Sequence, residues 1–130
     1  MLKVIIKICL SILLIFVLTA GGMMFFLTRG LESGSSVSIE DSINLSALSD
    51  GIYTGKHEDG RFSNELKVLV KDNKITEIEL VKDVTFPKEE VTKQIISSVI
   101  EQQSLAVDAV AGATITSKAY LKAMENALKK

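Results

Sequence analysis

The run from Ile8 to Leu27, ICLSILLIFVLTAGGMMFFL, contains no charged residue. It constrains the chain more than any other feature, because about 20 apolar residues are what a helix needs to cross the hydrocarbon core of a bilayer. Lys3, Lys7 and the terminal amine flank the run on one side, Arg29 and then Glu32 on the other. The positive-inside rule then expects a cytoplasmic N-terminus, with the chain from residue 30 onward outside. Lys7 can reach the headgroups through its long stem, so it does not block insertion. A cleaved signal peptide is the competing reading, with Ala20-Gly21-Gly22 as its small-residue site. Its apolar region would be about 7–15 residues, shorter than this one. Both readings place the remainder outside the cytoplasm. A lipoprotein signal does not fit, since Cys9 follows Ile6-Lys7-Ile8 instead of small residues. Cys9 is also the single cysteine of the chain. The region beyond the run is therefore expected to have no disulfide, no thiolate-held metal and no thiol nucleophile.

Past the apolar run the composition changes twice. Residues 28–49 hold Gly30, Gly34 and seven serines with few large apolar residues, a composition that reads as a flexible linker. A short helical turn is expected within residues 42–48. The division is thus a signal anchor over 1–29, a linker over 30–49 and one domain over 50–130, too short for two cores. That last part carries 12 Lys+Arg against 13 Asp+Glu, and the net charge of the whole chain is −1. Nothing in this balance resembles the basic footprint of a nucleic-acid binder, so that class is set aside.

Hydrophobic periodicity supplies the elements of the domain. Ile52 to Lys56 alternates as a short strand, and His57-Glu58-Asp59-Gly60 is a turn. Leu66, Val68 and Val70 share one face of a strand from Asn64 to Val70. Lys71-Asp72-Asn73-Lys74 is a hairpin turn, because Asp and Asn tolerate the left-handed backbone. Ile75 to Val81 returns, with Ile78 and Leu80 on a common face. Pro87, Glu89 and Glu90 fit a helix start. Val91, Ile95, Ile96 and Val99 then recur at helical spacing up to about Gln103. A last helix is expected from Ser117 to Lys129, with Thr116 and Ser117 as capping residues and Ala119, Tyr120, Ala123, Ala127 and Leu128 as its buried stripe. This order predicts a small α+β domain. Its antiparallel sheet would carry two helices on one face, preceded by one N-terminal transmembrane helix.

The unusual chemistry lies in the connection Asp108-Ala-Val-Ala-Gly-Ala-Thr-Ile-Thr-Ser117. Gly112 permits a backbone conformation closed to other residues, and Ala113 removes bulk beside it. Thr114 places a hydroxyl near a helix N-terminus, where unpaired N–H groups and the dipole favour a phosphate. Physics alone leaves two readings open: a phosphate held at or esterified to Thr114, or a plain helix-start loop. His57 reads as a solvated surface residue, Tyr53 and Tyr120 as core or core-edge packing. Thr54, Gly55 and Thr85 are weaker candidates for a pocket.

These same residues resemble the FMN-binding domain family. That family includes the covalently flavinylated subunits of the sodium-translocating NADH:quinone reductase and of the Rnf electron-transport complex. Its motif, Asp-x-x-Ser/Thr-Gly-Ala-Thr/Ser, maps onto Asp108, Ala111, Gly112, Ala113 and Thr114, with Ala111 in place of the usual hydroxyl. The opening from Asp50 to Gly55 and the KITEIEL of the hairpin are similar too. The resemblance implies FMN as cofactor, joined by a phosphoester to Thr114, with Gly112, Ala113, Asp108, Thr116 and Ser117 around it. It implies no catalytic residue and no metal site, hence an electron carrier more than a self-contained enzyme. Its implied partners are a flavin transferase using FAD and Mg, the membrane, and membrane or extracytoplasmic redox proteins. A noncovalent FMN module and a flavin-free anchored adaptor or sensor domain remain as alternatives.

Overall fold

The computed structural model describes residues 1–40 and 43–129. The apolar run lies within helix α1, Leu2–Thr28, which buries none of its side chains. At 1.5 Å per residue, its 27 residues extend about 40 Å. Its hydroxyls are satisfied within the helix. Ser11 donates to Lys7 O, Thr19 to Ile15 O and Thr28 to Met24 O, each at 2.9 Å. Such back-bonding is what a polar group in hydrocarbon requires. The helix is long and apolar enough to cross a membrane.

Three strands follow: β1, Gly51–His57; β2, Asn64–Lys71; and β3, Lys74–Lys82. They form an antiparallel meander in the order β1-β2-β3. The hairpin turn is left-handed at both central residues, Asp72 (φ 53°) and Asn73 (φ 59°), as a type I′ turn demands. Leu66, Val68 and Val70 are fully buried on the inner face. Ile75 and Ile78 join them although they stand three positions apart. The register slips between Val70↔Ile75 and Leu69↔Glu77, leaving Thr76 as the extra residue of a bulge.

Three further segments are helical: α2, Leu31–Ser36, precedes the sheet, and α3, Glu89–Gln102, and α4, Thr114–Leu128, follow it. Helices α3 and α4 both cover the inner face, as the sequence predicts. Val91, Ile95 and Val99 of α3 meet Tyr120, Ala123, Met124, Ala127 and Leu128 of α4 over the sheet in one core. Burying a side chain of this size contributes about 1.5–3 kcal/mol. The close approach of α4 to β1 depends on Gly55, where a Cβ would overlap the Ala123 carbonyl and the Ala127 amide.

Gln103 caps α3 in the left-handed conformation (φ 53°). Its side-chain amide accepts the N–H of Ile75 at 2.7 Å and donates to Ile75 O at 2.8 Å.

Three boundaries differ from the sequence reading. Pro87 stands outside α3, whose cap is the extended residue Lys88 (φ −123°). Helix α4 begins at Thr114, three residues before Ser117, with Ala113 at the cap position. The segment read as a linker makes extensive contacts. Helix α2 packs on α4, and Lys118 Nζ donates to Ser35 O at 3.0 Å. Ile39, Ile43, Leu45 and Leu48 are partly buried against the core. The expected short helical turn is a three-residue one, Leu45–Ala47; Ser42 lies outside the described residues. The physical reason is that a few spaced apolar side chains suffice to lay a serine-rich segment onto a domain that offers them a groove.

Candidate functional site

The loop from Asp108 to α4 is built by a turn and a lock. Ala113 N donates to Val110 O at 2.9 Å, closing a four-residue turn whose third residue, Gly112, has φ +76°. That is the type II position reserved for glycine. Ser117 is fully buried and secures the turn from inside. Its Oγ accepts the N–H of Val110 at 3.0 Å and donates to Ala113 O at 2.8 Å. The turn delivers Thr114 as the first residue of α4, with its side chain exposed.

A cavity of about 490 Å³ opens beside Thr114, within the range of small-molecule and cofactor sites. Its lining draws on four parts of the chain: Leu31 of α2, the turn at Arg61 and Phe62, the loop carrying Val84, Phe86 and Lys88, and residues 112–116. The backbone couples two of these walls, since Thr85 N donates to Arg61 O at 2.9 Å. The N–H groups of Thr114, Ile115 and Thr116 belong to the first turn of α4, where no helical partner exists. They add the positive end of its dipole. Arg61 and Lys88 contribute full positive charges. The Arg61 guanidinium lies over the Phe62 ring, 4.8 Å from its centroid. Its Nε is buried without a hydrogen-bond partner among the described residues.

The wall behind Val84 is held by a buried network. Tyr120 donates to Asp83 Oδ1 at 2.5 Å and accepts the Thr92 hydroxyl at 3.1 Å, while Val84 N donates to Asp83 Oδ1 at 2.7 Å. Burial, and then the hydrogen bond to Asp83, push the Tyr120 hydroxyl up to about 12.

The cavity gathers Gly112, Ala113, Thr114 and Thr116 of the six residues named from sequence. Ser117 lies beneath the loop and holds it, and Asp108 is exposed at its start. Of the weaker candidates, Thr54 is exposed on β1, Gly55 packs on α4 and Thr85 links two cavity walls. His57 is half-buried, in contrast to the solvated residue expected, and its Nε2 is buried without a partner among the described residues. Burial lowers its pKa below 6.5; Asp59 opposes the shift and Lys122 adds to it. Leu31, Arg61, Phe62, Val84, Phe86 and Lys88 are not legible as site residues in the sequence, because they come from separate segments with no motif of their own.

Apolar walls, two cations and a hydroxyl at a helix start suit a ligand with a flat aromatic part and a phosphate. The orphaned Arg61 Nε and the unpaired N–H groups of α4 are donors that such an anion would satisfy, so these residues fit FMN. Sheet, helices and cavity define a small α+β ligand-binding domain behind an apolar helix. The FMN-binding domain family matches residues 63–129, just over half of the chain, and the chain belongs to that family. No curated protein matches the chain. The matched stretch starts after β1, which nonetheless pairs with β2 along its whole length.

Proposed function

We propose that this protein is an anchored extracytoplasmic electron carrier whose FMN is esterified to Thr114 Oγ1. The observation that carries the reading is the exposed Thr114 hydroxyl at the rim of the cavity, beside unpaired N–H groups and two cations. In this reading Thr114 Oγ1 attacks the flavin-side phosphorus of FAD on a magnesium-dependent flavin transferase. The phosphoanhydride bond breaks, AMP leaves, and the hydroxyl proton passes to solvent. The amides of Thr114, Ile115 and Thr116, with Arg61 and Lys88, then hold the phosphoester anion. Phe62, Phe86 and Leu31 shield the ring from water. FMN, when bound, supplies the redox chemistry, exchanged with membrane or extracytoplasmic redox proteins. Residues 1–29 serve as the anchor and 50–130 as the flavin domain. Lys3 and Lys7 before the span support a cytoplasmic N-terminus. A covalent link suits a site outside the cell, where a dissociated flavin would be lost.

The test is to produce the full chain together with a flavin transferase, then examine intact mass and in-gel flavin fluorescence. Wild type should carry one FMN ester and Thr114→Ala none. An unmodified wild type in the presence of an active transferase overturns the covalent reading. Ala111, which replaces the motif's hydroxyl, favours a second reading in which FMN binds noncovalently. That form would purify yellow and lose its colour on denaturation. A protein that stays colourless after exposure to FMN and transferase would leave the anchored adaptor.

A further inference from the structure

No spacer separates α1 from the domain. Arg29 caps the helix, its N–H bonded to Phe25 O at 3.0 Å. Gly30 is buried against the next turn, where a Cβ would lie 2.8 Å from Asp59 O. Ser33 Oγ donates to Asp59 Oδ2 at 2.7 Å. The end of α1, helix α2, the turn from Asp59 to Phe62 and the start of α4 therefore form one packed body. The uncharged run from Ile8 to Leu27 extends about 30 Å as a helix, the thickness of the hydrocarbon core. The headgroup layer adds only about 5–7 Å on each side. Leu31, four residues past the run, already lines the cavity.

Among the described residues beyond Thr28, the exposed large apolar side chains are Leu31, Ile52, Val81 and Phe86. Two of these, Leu31 and the 57 % exposed Phe86, line the same cavity, beside Arg61 and Lys88. Aromatic and aliphatic groups flanked by long cationic side chains are the composition of a bilayer interface contact. The hairpin turn lies at the opposite end of the sheet. The strand pairing runs six residue steps from His57↔Asn64 to Gly51↔Val70, or roughly 20 Å.

We infer that the mouth of the cavity rests in the phospholipid headgroup layer of the membrane that α1 crosses. Phe86 and Leu31 enter the interface, and Arg29 sits at the lipid phosphates. The inference rests on α1 as a membrane span and is independent of whether flavin is attached.

The chain contains no tryptophan, so single substitutions give unique reporters. Full-length Phe16→Trp, Phe86→Trp, Leu31→Trp and Lys74→Trp variants would be reconstituted in phosphatidylcholine vesicles, plain or brominated near the headgroup end of one acyl chain. The expected result is quenching of the Phe16→Trp reporter within the span. The Phe86→Trp and Leu31→Trp reporters should be quenched at least about twofold, and the Lys74→Trp reporter on the hairpin not at all. A ring held roughly 5–10 Å into the headgroup–acyl boundary behaves so. Quenching of Phe16→Trp with Phe86→Trp and Leu31→Trp both silent overturns the docking and leaves the span intact; a rim covered by a protein partner would give that outcome. Equal quenching of Lys74→Trp also overturns it. Absence of quenching in Phe16→Trp removes the span and the docking together.

Discussion

The Ser117 hydroxyl and the Val110 amide meet at 3.0 Å beneath the loop that presents Thr114. The bond ties the turn before α4 to the first turn of α4 itself. Ser117→Ala strands the Val110 N–H in a part-buried position, which costs about 1–3 kcal/mol. The urea midpoint should fall accordingly. On the proposed covalent reading, the yield of FMN ester at the intact Thr114 should drop as well, read by intact mass.

Tyr120 should ionise late. Its folded-state value of about 12, against 10.0 unfolded, means the native protein keeps the proton longer. Its contribution to stability is therefore complete below about pH 10 and declines as pH rises toward about 12. Ultraviolet titration should show one tyrosine silent until that range or until unfolding. Tyr120→Phe removes the alkaline decline and leaves Asp83 short of a donor, at about 1–3 kcal/mol near neutrality.

His57 titrates in the opposite sense of stability. Its folded pKa is depressed below 6.5, so between that value and 6.5 the unfolded chain binds more protons. Stability is then lost as pH falls below 6.5. Urea midpoints at about pH 7 and about pH 5 should differ for wild type and converge for His57→Gln. The NMR titration of the imidazole should report a midpoint under 6.5.

Glu125 is 1 % exposed and sits between Lys122 Nζ at 2.9 Å and Lys129 Nζ at 3.7 Å. It also accepts the backbone N–H of Glu40 at 3.2 Å. It thus pins the serine-rich segment to α4. Glu125→Ala should destabilise by about 1–3 kcal/mol and speed limited proteolysis between Val37 and Ser49. Glu125→Gln keeps an oxygen for Glu40 and should be cleaved more slowly than the alanine variant.

Much of the fold is legible in the sequence because period and burial agree. Leu66, Val68 and Val70 alternate and are fully buried, and Asp72-Asn73 forms the turn its residues favour. The bulge at Thr76 is not legible: it brings Ile75 and Ile78 to one face against the period of two. Helix α4 starts three residues earlier than its capping chemistry suggests, because Thr116 and Ser117 resemble caps. In the fold Ser117 turns inward and Ala113 caps with no side-chain bond. Thr114 and Gly112 stand out through the motif, whereas Arg61 and Phe86 enter the cavity only through tertiary packing. The attachment of Ile39, Ile43, Leu45 and Leu48 is hidden by the serines around them.

Gln103 has a consequence for chains crowded in one plane. With an acceptor and a donor both committed to Ile75, its amide imitates the peptide group of a neighbouring strand. The open margin of β3 is thereby blunted beside the hairpin, where an incoming strand from an adjacent copy would start to zip. One glutamine thus occupies, at Ile75, the two peptide groups through which such pairing would begin on this margin.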